Sequence, residues 1–194
     1  MTDEYITLGE SIGEGYYSEK RSKFLAFASH VVSPEEALQI VARYRVKYHD
    51  AKHVCYAYRV GVEPAQWRMN DDGEPSSTAG KPIYGQIVAA GLTDVLVVVV
   101  RYYGGVNLGT GPLASAYKAA AADALAHAER QVKLVEEQVT CQFAYAQMDN
   151  VMRIVRQMQA RVVSRDFAQT CSLTLAVPKS QVEALCLRLQ TVIY

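Results

Sequence analysis

The hydrophobic positions of this chain fall into two periods, and the switches between them mark the expected elements. Residues 95–100 (VLVVVV) are an unbroken, mostly β-branched run, which fits a strand covered on both faces. Residues 22–32 alternate loosely and read as another strand. In residues 54–62 (VCYAYRVGV) alternation puts Val54, Tyr56, Tyr58 and Val60 on one face. After Ser33 the spacing changes to three and four. Ala37, Leu38, Val41, Tyr44 and Tyr48 then form one stripe of a helix. Ser33 is its N-cap, Pro34 its first residue, and Glu36 completes a capping box. Residues 82–90 read as a short helix closed by Gly91. A longer helix is expected over 112–130, with Pro112 at its first position. Leu113, Ala116, Tyr117, Ala120, Ala124 and Leu125 form its buried face, and its alanines would let it lie close against a sheet. Residues 1–19 read as an irregular arm, and residues 63–81 as a long polar segment.

Past a strand at 131–134 the texture changes. A strand at 137–144, a helix at 147–159, strands at 162–167 and 171–177 and a helix at 180–190 follow in turn. The order β-α-β-β-α is the ferredoxin-like plan without a clear closing strand, for which only residues 191–194 remain. These elements predict an α+β chain of two domains, 1–136 and 137–194.

Composition narrows the function. Of 194 residues 50% are hydrophobic and 21% charged, with a formal net charge of zero, so no bulk field draws the chain to nucleic acid or membrane. The acidic N-terminus lacks the basic and apolar regions of a signal peptide, and no apolar run is long enough to span a bilayer. Cys55, Cys141, Cys171 and Cys186 show no C-x-x-C pairing and read as reduced thiols. A soluble, cytoplasmic protein is expected.

The chemistry concentrates in three places. After the strand at 95–100 come Arg101 and a loop holding Gly104, Gly105, Gly109, Thr110 and Gly111. The free N–H groups at the following helix start could receive an anion, or the loop could be a tight structural turn. No G-K-[ST] follows, so it is not a P-loop, and Pro112 interrupts the nominal dinucleotide pattern Gly109-x-Gly111-x-x-Ala114. Its LGTG run resembles the phosphate loop of small-molecule kinases of the galactokinase and homoserine kinase type, without their serine pair. The turn Asp71-Asp72-Gly73-Glu74-Pro75 gathers three carboxylates. They could hold a hard cation, or pair with Arg68, Lys81 or Arg101. His49 and His53 are spaced as metal ligands on a helix would be, but here they straddle a turn. His53 and Cys55 share a strand face that would allow a thiolate–imidazole pair, with no third group to orient it. Basic residues beside aromatic ones, Lys20, Arg21 and Lys23 near Tyr16, Tyr17 and Phe24, and Arg101 near Tyr102 and Tyr103, could meet single-stranded nucleic acid. Arg153, Arg156, Arg161 and Arg165 give residues 137–194 a net charge of +2, which a solvated helix face also explains.

Taken together, AKHVCYAYR (51–59), DDGEPSSTAGKP (71–82) and VVVVRYYGGVNLGTGPLASAY (97–117), with Lys23-Phe24 before them, resemble the IMPACT/YigZ family over nearly all of residues 15–130. The resemblance implies a ribosomal protein S5 domain 2-like α+β sandwich, followed by a ferredoxin-like domain similar to one in elongation factor G. It marks His53, Tyr56, Arg59, Thr78 and Gly80 as motif positions beside Asp71, Asp72 and Glu74, and it carries over no catalytic residue. It implies that eukaryotic relatives regulate translation, competing for the activator of a starvation-sensing kinase. For bacterial members it points to nucleic acid or the ribosome. This chain departs from the pattern at Asn107 (usually lysine), Pro112 (glycine), Ser115 (arginine), Ser77 (glycine) and Val54 (asparagine). Two lost cations weaken anion binding at the glycine loop.

The reading that results is a non-enzymatic regulatory or binding protein linked to translation or the stress response, without cofactor or metal. It contacts RNA, the ribosome or a translation-associated protein through Asp71–Gly80 and Arg101–Gly111. The alternative is a metal-dependent phosphate- or nucleotide-handling enzyme that uses the glycine loop and the Asp-Asp turn.

Overall fold

The computed structural model describes residues 3–167 and 170–193. The chain divides into two compact units, Tyr5–Lys133 and Leu134–Tyr194 with Met1–Glu4, and the architecture is α+β.

The first unit begins with strands β1 (Glu4–Leu8), β2 (Gly13–Glu19) and β3 (Ser22–His30) and helix α1 (Pro34–Lys47). Strands β4 (His53–Val60) and β5 (Gln66–Asn70), helix α2 (Gly80–Ala89), strand β6 (Val95–Tyr102), helix α3 (Thr110–His127) and strand β7 (Arg130–Leu134) complete it. The main sheet is antiparallel with order β2-β3-β6-β4-β5, and β1 pairs separately with β7. Strand β6 lies at the centre, and its β-branched run is buried on both faces. Val95, Val97 and Val99 join the core under α2 and α3. Leu96, Val98 and Val100 join Val54, Tyr56, Tyr58 and Val60 in the core under α1, the face that alternation predicts. Phe27 stacks there on Tyr44 and Tyr48. The Ser33 cap forms as expected, with the Glu36 N–H donating to Ser33 Oγ (3.1 Å), but Glu36 Oε2 accepts from the Val32 N–H (2.7 Å), one residue before the N–H that a capping box would use.

Three expectations are corrected. The arm at 1–19 contains β1 and β2, and the polar segment contains β5. Edge strands with an exposed face carry too few apolar residues to show a period. Helix α3 starts at Thr110, so Pro112 is its third residue. Gly109, at φ +85°, turns the chain into the helix, and the first N–H groups of a helix have no intrahelical partner for proline to lose.

The second unit comprises β8 (Glu136–Phe143), α4 (Met148–Gln157), β9 (Arg161–Phe167), β10 (Cys171–Pro178) and α5 (Val182–Ile193). Its antiparallel order β8-β10-β9 is that of the first three strands of the ferredoxin-like plan. Residues 191–193 continue α5 and supply no closing strand, while Tyr194 lies outside the described residues. Val151, Ile154 and Val155 of α4 and Leu185 and Leu189 of α5 pack on Cys141, Phe143, Leu173 and Leu175. Among the described residues no helix is long and apolar enough to cross a membrane.

Candidate functional site

The acidic turn, the end of β6 and the start of α3 meet at one place, because β4 and β6 are neighbours and the turn folds back over their ends. Asp71 receives backbone N–H groups: Ala79 (3.0 Å) and Gly80 (2.8 Å) donate to Oδ1, and Ser77 (2.9 Å) donates to Oδ2. It therefore caps α2, whose N-cap position, Ala79, has no side chain to do so. Asp72 Oδ2 accepts from the Val54 N–H (2.7 Å), and Oδ1 pairs with Arg45 (2.7 Å). Thr78 Oγ1 donates to the Pro75 carbonyl (2.6 Å) and closes the turn. Gly80 is a glycine because a Cβ there would lie 2.7 Å from the Asn70 nitrogen.

Glu74 is the hub of a buried polar cluster. Its Oε1 accepts from Arg101 Nη1 (2.6 Å) and from the Tyr117 hydroxyl (2.7 Å). Arg101 is 5% exposed, and its guanidinium lies 5.5 Å from the Phe24 ring centroid and 5.6 Å from that of Tyr103. Arg101 Nη2 reaches Ser22 Oγ at 3.5 Å, and that hydroxyl also accepts from the Gly104 N–H (3.1 Å). His53 Nδ1 lies 2.7 Å from the Asp72 carbonyl oxygen, which only accepts, so Nδ1 carries the proton. Its Nε2 then faces Glu74 Oε2 at 3.7 Å. Burial pushes the Tyr117 hydroxyl up, so it stays protonated and donates to Glu74.

Cys55 belongs to this cluster and not to a thiolate–imidazole pair. Its Sγ donates its one proton to the Asp71 carbonyl (3.1 Å) and lies 3.3 Å from the Tyr117 hydroxyl oxygen, and burial pushes its thiol up. Cys141 and Cys171 are buried as well, and Cys186 is partly exposed. A maleimide should therefore modify Cys55 only after unfolding, as peptide mass spectrometry would read. Rapid labelling of Cys55 would refute this description of the cluster.

A pocket of about 400 Å³ opens beside the cluster, with His53, Glu74, Arg101, Gly109 and Thr110 among its lining residues. Lys52 and Tyr103 stand at it as well, both exposed, with Nζ 4.7 Å from the ring centroid. Sequence reasoning overlooked Lys52 as a site residue; it precedes the His53 motif position directly. It named Arg101 both as a ligand contact and as a partner of the acidic turn, and the structure pairs it with Glu74. That pairing spans 27 residues, so no local pattern singles Arg101 out from Arg68 and Lys81. The remaining motif positions are not brought to the pocket. Tyr56 lies in the core under α1, and Arg59 sits at the far end of β4. Gly104 packs on the β2–β3 turn, where a Cβ would lie 2.2 Å from the Arg21 carbonyl carbon, and Gly105 and Gly111 face open space.

The chain is similar to known proteins. Residues 20–125 match the model of the Impact N-terminal domain, and residues 141–192 match a domain of unknown function, DUF1949. The chain is 34% identical over 165 residues to the IMPACT family member YigZ of Escherichia coli (strain K12), across 84% of this chain and 81% of that protein. It is 37% identical over 169 residues to an IMPACT family member of Thermus thermophilus, across 87% and 91% of the two chains. The crystal structure of a hypothetical protein superposes with a TM-score of 0.79 at 30% identity, over 98% of this chain and 93% of the other.

Proposed function

The chain belongs to the IMPACT family, and from that premise we propose that it is a cytosolic, non-enzymatic protein that regulates translation by binding RNA, the ribosome or a translation-associated protein. The translation link rests on what the family resemblance implies for eukaryotic members. The observation that carries the binding reading is the internal engagement of the signature charges. Asp71 holds α2, Asp72 holds β4 and Arg45, and Glu74 holds Arg101 and Tyr117. The motif therefore acts as a rigid frame. It presents Lys52, Tyr103 and the backbone N–H groups of the first turn of α3 at the pocket. A cation beside an aromatic ring and free backbone donors suit a phosphate-bearing or acidic surface. The enzyme reading would need Asp71 and Asp72 to turn oxygens toward a cation, against the hydrogen bonds they already accept.

Sedimentation with ribosomes over a salt series tests the proposal. We expect saturable co-sedimentation at moderate salt that weakens as salt rises, and a Lys52→Glu/Tyr103→Ala variant about tenfold weaker. Absence of co-sedimentation at every salt concentration, or an unaffected variant, would overturn it for the ribosome.

A further inference from the structure

The two outer edges of the second unit's sheet differ in kind. The free edge of β9 is guarded. Arg161, Arg165 and Asp166 place charges along it, and its register with β10 slips at Thr174/Leu175, leaving Val163 as a bulge. Charges and bulges are the devices by which natural sheets prevent edge-to-edge pairing. The outer edge of β8 has neither in its centre. Gln138-Val139-Thr140-Cys141-Gln142 is uncharged, holds no glycine or proline, and keeps an unbroken register with β10 from Glu136 to Phe143. Among the described residues no strand pairs with this edge.

A groove of about 400 Å³ runs along it. Four consecutive β8 residues, 139–142, line the groove, and successive strand residues point to opposite faces. The groove therefore follows the strand's edge and not one of its faces. Its other wall is α5, where Cys186, Leu189 and Ile193 recur at helical spacing. This is the slot that the closing strand of a ferredoxin-like sheet would fill, and the chain continues as helix where that strand would begin.

We propose that this slot is filled by β8 of a second copy of the chain, pairing antiparallel about a two-fold axis at Thr140. The uncharged centre of the edge is self-complementary in this register. With Thr140 opposite itself, Val139 meets Cys141, Gln138 meets Gln142 and Glu137 meets Phe143, so no carboxylate faces another. The two Glu137 residues stand about 20 Å apart along the strands, beyond the Debye length of physiological salt. A register that breaks the even spacing would set the buried row Cys141 and Phe143 against the outward row of its partner. The product is a continuous six-stranded sheet with the apolar stripes of the two α5 helices flanking the new pair.

The full-length chain tests this by sedimentation velocity over a concentration series. Wild type should move from monomer to dimer as concentration rises. Thr140 is exposed, so lysine or glutamate there leaves the fold intact, as circular dichroism would check. Thr140→Lys alone and Thr140→Glu alone should each associate about fivefold more weakly than wild type, since like charges face across the axis. An equimolar mixture of the two should recover association as a mixed dimer, read by energy transfer between labelled variants. A monomer at all concentrations would overturn the proposal and leave the slot to an extended segment of another protein. Single variants that associate as tightly as wild type, or a mixture that does not recover, would overturn the register.

Discussion

Replacing Glu74 with alanine should destabilise the first unit by about 3–5 kcal/mol, because it strands the Arg101 guanidinium in the protein without its counter-charge. Arg101 is 5% and Glu74 8% exposed, so solvent cannot take over the lost contact without local opening. The Tyr117 hydroxyl loses its acceptor in the same step. Urea unfolding followed by tryptophan fluorescence isolates the effect, since the single tryptophan, Trp67, lies in β5 of this unit. Removing both charges tests the cause. A Glu74→Leu/Arg101→Met variant should recover most of the loss, as replacing a buried ion pair with apolar side chains often does. A Glu74→Ala loss below about 1 kcal/mol, the range of surface pairs, would mean that the pair is not buried in solution.

Gly15→Ala should cost about 3 kcal/mol, at the upper end of overpacking effects, although it adds one methyl group. A Cβ on Gly15 would lie 2.3 Å from the Ala124 nitrogen and 2.7 Å from the Ala120 carbonyl oxygen. Both are helix backbone, which cannot rotate aside, so α3 must lift from β2 and open the core that Tyr117 and Leu125 close. Gly111 in the same helix has nothing within 4 Å of such a Cβ. Gly111→Ala should be neutral or stabilise by up to about 1 kcal/mol through helix propensity. Thermal unfolding of the two variants side by side gives the comparison, and equal effects would refute the close contact of α3 with β2.

The glycines of β2 show why part of this fold could be read in advance and part could not. Strand β6, the loop after it and α3 announce themselves through a β-branched run, glycines and an alanine-rich helix, all local signals. The sequence GEGYYSE of β2 carries no apolar alternation. Gly13 and Gly15 are small because a helix backbone lies against them, and that helix is about a hundred residues away in the chain. The candidate site divides in the same way. The motif carboxylates stand out, and Arg101 is among the partners they suggest, but Arg45 and Tyr117 are brought to them only by the fold. The family pattern expects glycine at Ser77, and the structure gives a backbone reason: φ there is +63°.

The place of β6 in the sheet bears on the order in which the polypeptide can mature during synthesis. The neighbours β2 and β3, and likewise β4 and β5, form hairpins from adjacent segments, but β6 lies between the two pairs. As the nascent chain emerges, each hairpin has one side without its eventual neighbour until residue 102 has appeared. Only then can the two halves be joined. Helix α3, which covers the glycines of β2, is made later still. Between residues 70 and 102 this unit is two separate ribbons with apolar faces uncovered, which is when a nascent chain is most open to mispairing and to chaperones.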